Sequence, residues 1–290
     1  MHPITFALAG SICALAAGCS VYNYRRYMPK PRTMGAKTYP VAVRRLPVAA
    51  GNHTLYGELL RPKGMEGSLP TVICCHGFGS SYKLCKNTVG MCLAKSGYQV
   101  YCFDFYGGSK HSRSGGTMLE MSIFTEQDDL SAVIDKISAL PEVDKQRLYL
   151  LGESQGGCVA GITAPRHEAQ LKAMILYYPA FCVPEDARKR YSTSEKIPDV
   201  DKVFGKIVGK TYSEKLLEYD IWSEICHFSK PVLILHGDGD TVVDVSYGQR
   251  AAEVYPNATF KRYPGEIHGF TGKGKLQAAK DSYEFLEENR

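Results

Sequence analysis

The sequence holds no acidic residue before Glu58, only one tryptophan, no Cys-x-x-Cys pair and no histidine–cysteine cluster at metal-ligand spacing. The last two absences remove the usual signs of a zinc site or a thiol redox motif, so no metal and no cofactor is expected. No internal repeat or low-complexity tract is visible, which sets aside solenoid and array architectures. The missing early acids matter for charge. Seven of the 35 basic residues (Arg25, Arg26, Lys30, Arg32, Lys37, Arg44 and Arg45) fall before Glu58, leaving 28 basic against 30 acidic residues beyond it. The formal charge of +5 therefore belongs to the N-terminal stretch, and no basic face for nucleic acid is expected on the folded part.

Charge is also missing from the first 24 residues, apart from His2. Pro3 to Tyr24 is long enough to cross a bilayer as a helix, and Tyr22, Tyr24 and Tyr27 beside Arg25-Arg26 suit an interface. The expectation is a membrane anchor over residues 1–24, a basic linker over 25–40 and a folded domain on the cytoplasmic side. The rival is a cleaved segment: Ala16-Ala17-Gly18-Cys19 is similar to a lipoprotein cleavage box, which would place the domain outside. Ten cysteines are present, but Cys74, Cys75, Cys92, Cys102 and Cys158 lie inside apolar patterns, which favours buried free thiols in a reducing compartment.

At 290 residues with 44% hydrophobic composition, the chain can bury one large core. Val41–Arg45 and Leu55–Leu60 read as antiparallel strands, and Leu69–Cys75 as a buried strand ending in His76-Gly77-Phe78-Gly79-Ser80, a loop assigned here to holding an oxyanion. A helix is expected over Asn87–Ser96, a strand over Tyr98–Phe103 and an amphipathic helix over Gln127–Leu140. Further on, Gly156–Ala164, Tyr247–Val254 and Leu276–Glu288 read as helices, and Ala173–Tyr178, Val232–Leu235 and Thr259–Tyr263 as strands. This alternation predicts an α/β fold, a mostly parallel central sheet with helices on both faces, as one domain over 41–290. Residues 181–230 break the alternation and read as a small inserted cap, in which Phe181, Tyr191, Phe204 and Trp222 are candidates for selecting the acyl group.

The chemistry centres on Gly152-Glu153-Ser154-Gln155-Gly156, a strand-to-helix turn with a serine at its tip. Gly-x-Ser-x-Gly arises by chance in roughly one chain of this length in six, so it carries weight only with its companions. A serine needs a histidine to take its proton, and the histidine needs a carboxylate to fix its tautomer. The chain offers both in the order acid then histidine: His236-Gly237-Asp238-Gly239-Asp240 after one strand, Glu266-Ile267-His268-Gly269 after the next. The expected set is Ser154, Asp240 and His268. Asp238 suits a turn, Asp244 keeps a claim on the acid's role, and His76 and His236 read as structural groups in strand-end loops.

Together, His76-Gly77-Phe78-Gly79, Gly152–Gly157, His236–Asp240 and His268-Gly269-Phe270 resemble the α/β-hydrolase superfamily over roughly residues 40–290. Met121–Glu126 and Tyr177-Tyr178-Pro179-Ala180 are similar to segments of its bacterial branch of cinnamoyl and feruloyl esterases and serine-aminopeptidase-like hydrolases. The resemblance implies Ser154 as nucleophile, Asp240 as acid, His268 as base and the backbone N–H groups of Phe78 and Gln155 as oxyanion hole. It implies a serine carboxylesterase acting on a small-molecule ester of hydroxycinnamate or short-chain acyl type. A serine aminopeptidase or amidase is the alternative, with Glu185, Glu195 or Asp199 available to a substrate amine; a non-enzymatic tethered binding module is a third reading. Glu153 departs from the branch, in which many members carry histidine there.

Overall fold

The computed structural model describes residues 28–290. The expected anchor at residues 3–24 lies outside them. Among the described residues no helix is long and apolar enough to cross a membrane.

The strands are β1 (Val41–Arg45), β2 (Val48–Ala50), β3 (His53–Leu55), β4 (Gly57–Pro62), β5 (Leu69–Cys75), β6 (Gln99–Phe103), β7 (Val143–Glu153), β8 (Ala173–Tyr177), β9 (Val200–Val203), β10 (Lys206–Gly209), β11 (Val232–Gly237) and β12 (Ala258–Tyr263). Eight form the central sheet in the order β1-β4-β6-β5-β7-β8-β11-β12. From β6 to β12 every pairing is parallel, while β4 joins β6, and β1 joins β4, antiparallel. All seven residues of β5 and all five of β6 are buried, as a parallel sheet covered on both faces requires.

Alternate residues of each strand feed opposite cores. Ile73, Cys75, Leu148 and Leu150 pack on one side with α3 (Ile123–Ser138) and α4 (Gln155–Thr163); Val72, Cys74, Tyr149 and Leu151 pack on the other with α1 (Tyr82–Cys85), α2 (Met91–Lys95) and the C-terminal α8 (Gly272–Glu288). Between β8 and β11 the inserted segment carries α5 (Val183–Arg190), the β9–β10 hairpin and α6 (Ile221–Ile225), and α7 (Val245–Val254) then leads back to the sheet. This order puts the loops after β5, β7, β8, β11 and β12 at one edge of the sheet, where ligands of open α/β folds bind.

Several elements differ from the sequence reading. The helix expected over 87–96 begins at Tyr82 and is interrupted at Thr88, whose backbone leaves the helical region (φ −112, ψ −108). Its hydroxyl donates to the Leu84 carbonyl at 2.7 Å, supplying a side-chain partner where the helical ladder is irregular. Helix α3 starts four residues before the expected Gln127, because Ser122 caps it with Thr125 completing a reciprocal capping box. Helix α8 likewise starts at Gly272, capped by Thr271. The cap holds a hairpin that turns at Phe204-Gly205, both at positive φ.

Candidate active site

Strand β7 delivers Ser154 into a turn with φ 55 and ψ −120, an uncommon conformation for a residue with a side chain. Its neighbours explain why the conformation persists. The Ser154 N–H donates to the Tyr177 carbonyl at 2.9 Å, and its own carbonyl accepts from Ala180 at 3.0 Å, fastening the turn to β8 and to the start of the inserted segment. The glycines are sterically required: a Cβ on Gly152 would stand 2.4 Å from the Gly156 carbonyl oxygen, and one on Gly156 would stand 2.4 Å from those of Cys75 and His76. Strand, turn and helix therefore touch backbone to backbone.

His268 follows β12 and Asp240 follows β11. The Ser154 hydroxyl lies 3.0 Å from His268 Nε2, and His268 Nδ1 lies 2.7 Å from Asp240 Oδ2. With Asp240 ionised it can only accept, so Nδ1 carries the proton and Nε2 is free to accept from serine. The other Asp240 oxygen accepts the N–H groups of Val242 and Val243 at 2.8 and 2.9 Å, and His236 Nε2 stands 3.3 Å from Oδ2. Burial works to raise the Asp240 carboxyl, but hydrogen bonds from His236 and His268 outweigh it and hold the group far below the ordinary carboxylate range. The His268 ring is further fixed edge-on to Tyr178, with centroids 4.7 Å apart.

The other candidates sit elsewhere. Asp244 caps α7 by accepting the Ser246 N–H at 2.9 Å, and Asp238 accepts the Gly265 N–H at 2.6 Å in a turn. His76 braces two loops: its Nδ1 lies 2.9 Å from the Gly77 carbonyl and its Nε2 accepts the Phe105 N–H at 3.2 Å. The loop so braced passes directly over Ser154, since a Cβ on Gly77 would stand 3.1 Å from Ser154 Cβ. Phe78 is the next residue. Gln155 opens α4, where a helix leaves its first N–H groups without intrahelical acceptors. Of the cap aromatics, Phe204 faces Phe78 with centroids 6.5 Å apart; Phe181 packs on Trp222, Trp222 stacks on Tyr247, and Tyr191 donates to Asp201. Phe181, against Gly161, and Trp222, against Tyr247, pack the cap onto the domain, whereas the Tyr191 bond lies within the cap.

Two buried carboxyls beneath the turn went unassigned a role from sequence. Glu126, on α3, is pushed up to about 8 by burial, against a lowering hydrogen bond from Gln155 and with Asp129 adding repulsion. The thiols of Cys75 and Cys158 and the hydroxyl of Tyr212 share its surroundings. Glu153 is raised to about 7, again by burial, with Lys275 and a hydrogen bond from Cys85 pulling it down. A carboxyl raised on folding stabilises the native state fully below its unfolded value, and that stability is lost as pH rises through the folded one. Stability should therefore fall as pH rises from the ordinary carboxylate range up to about 7 for Glu153 and about 8 for Glu126, and level off above. Glu126→Gln removes one titration and should flatten the fall in Tm between about pH 5 and about pH 8. Parallel Tm profiles for variant and wild type would refute it.

Fold and site geometry together define an α/β hydrolase of esterase or peptidase type. Residues 68–220 match the family described as serine aminopeptidase, S33, and the chain belongs to that family. The structure of Est1E from Butyrivibrio proteoclasticus with ferulic acid bound superposes with a TM-score of 0.76 at 26% identity, covering 84% of this chain and 98% of that one. Among curated proteins, non-heme chloroperoxidase CPO-A1 of Kitasatospora aureofaciens is 36% identical over 70 residues, 23% of this chain and 26% of the relative. Putative carbamate hydrolase RutD of Caulobacter sp. (strain K31) is 30% identical over 108 residues, 36% of this chain and 40% of the relative. The matches thus span less than half the length of these curated relatives.

Proposed function

We propose that the protein is a serine carboxylic ester hydrolase that works through an acyl-enzyme. Ser154 Oγ attacks the ester carbonyl while His268 Nε2 takes its proton; the imidazolium so formed is stabilised by Asp240 and then protonates the leaving alkoxide. Water enters, gives a proton to the same nitrogen, and its oxygen attacks the acyl carbon; collapse returns the proton to Ser154 and frees the acid. The N–H groups of Phe78 and Gln155 receive the oxyanion in both tetrahedral intermediates. The observation that carries this reading is the continuous chain Ser154–His268–Asp240 at 3.0 and 2.7 Å.

An ester is favoured over a peptide amine by the fate of the cap carboxylates. Glu185 accepts from the Tyr247 hydroxyl at 2.6 Å and stands 3.6 Å from Arg250, so its charge is already engaged. Glu195 and Asp199 are exposed to solvent, where an ion pair with a substrate amine contributes little. Hydroxycinnamate and short-chain acyl esters are the proposed substrates, the former because the Est1E structure holds ferulic acid. The test is a panel of p-nitrophenyl acyl esters, methyl hydroxycinnamates and aminoacyl-nitroanilides. The expected outcome is kcat/KM for the best ester above that for every anilide by at least about a hundredfold, the scale of the discrimination a shaped site achieves. Anilides turned over as well as esters would transfer the protein to the aminopeptidase reading.

A further inference from the structure

Gln155 is nearly wholly buried, and both ends of its side-chain amide are held. Its Nε2 donates to Glu126 Oε2 at 2.8 Å, and its Oε1 accepts from the Tyr212 hydroxyl at 2.9 Å. Glu126 belongs to α3, whereas Tyr212 belongs to the inserted segment. Each also reaches the other side of the oxyanion site. The Tyr212 ring lies 5.5 Å from that of Phe78. Glu126 Oε1 lies against Gly108, 3.2 Å from where a Cβ would stand, and the Gly108 carbonyl accepts the N–H of Gly79, the residue after Phe78, at 3.0 Å. Tyr212 thus contacts both halves of the site, and Glu126 contacts the Gln155 half and reaches the Phe78 half through Gly108.

Resting on the acyl-enzyme reading above, we propose that Glu126 and Tyr212 are positioning residues that hold the Phe78 and Gln155 N–H groups in register, and that Tyr212 ties this register to the seating of the cap. A buried amide bonded at both ends has one rotamer that satisfies all its partners, and losing either partner leaves a buried polar group unpaired. The backbone of Gln155 is one residue from the strained Ser154, so a side chain pinned on two sides restrains where its N–H points. Such restraint acts where charge develops, in the transition state, and has little purchase on ground-state binding.

The experiment compares Tyr212→Phe, Glu126→Leu and Glu126→Gln in the full chain, with p-nitrophenyl acetate kinetics, inhibition by an aryl trifluoromethyl ketone and fluorophosphonate labelling. Deleting an oxyanion donor outright costs about 10²–10³ in kcat, so loosening one should cost about tenfold in Tyr212→Phe and more in Glu126→Leu, with KM within about twofold. Ki for the ketone, whose adduct carries the oxyanion, should rise in step with the loss of kcat. Glu126→Gln keeps an acceptor for Gln155 and should recover most of the loss seen in Glu126→Leu. Tyr212→Phe removes one oxygen atom, and its thermal unfolding shows whether the fold persists. Wild-type kcat in a folded Tyr212→Phe, or a rise in KM with kcat and the ketone Ki unchanged, overturns the proposal. Failure of the wild type to be labelled at Ser154 would instead overturn the acyl-enzyme reading beneath it.

Discussion

Ser154→Ala should lower kcat by about a thousand- to a million-fold and abolish labelling by a fluorophosphonate. Alanine removes the attacking atom while leaving the strained turn in place, because the backbone contacts of Gly152 and Gly156, the N–H bond to the Tyr177 carbonyl and the bond accepted from the Ala180 N–H hold the conformation independently of the hydroxyl. The variant should therefore fold, bind ester and show little more than the rate that the oxyanion donors and binding provide. Labelling at an unchanged rate would place the nucleophile elsewhere in the chain.

The second large effect is a contrast between two aspartates four residues apart. Asp240→Asn should lower kcat by about ten-thousandfold, since an amide facing His268 Nδ1 can present N–H and stabilise the wrong tautomer. Asp244→Asn should change kcat by less than about twofold, because asparagine caps a helix about as well as aspartate does. The carboxylates separate cleanly in their partners: His268 and His236 at one, the Ser246 N–H at the other. Equal losses from the two substitutions would return the acid's role to dispute.

The sheet and the turn were legible because their signals are local and repeated. Apolar runs such as Leu69–Cys75 ended in glycine-rich loops, and the order of serine, acid and histidine put three side chains on strand ends that the parallel sheet brings together. The missed features depend on partners distant in sequence or on atypical residues at familiar positions. The β9–β10 hairpin escaped because Phe204, where asparagine or aspartate usually takes a positive φ, conceals the turn signal, and strands of four residues give little period to read. The start of α3 was hidden by Thr125 standing where glutamate or glutamine usually completes a capping box. Glu126 lay inside a recognised segment, but its bond to Gln155 joins residues 29 apart, and no periodicity announces such a pairing.

The parts of the site are made at different times. Strands β5, β7 and β8 shape the serine turn, whereas Asp240 and His268 follow β11 and β12, the last two strands of the chain. Synthesis runs from the N-terminus, so a chain emerging from the ribosome owns the Ser154 hydroxyl well before it owns the histidine proposed to activate it. On the proposed mechanism, the nascent protein should be inert toward esters until the β12 edge closes, so that vectorial folding would time its reactivity. Ribosome-stalled chains ending at residue 230 should accordingly resist fluorophosphonate, while full chains released clear of the exit tunnel by a linker should react; equal labelling of both would show that Ser154 is activated before its partners arrive.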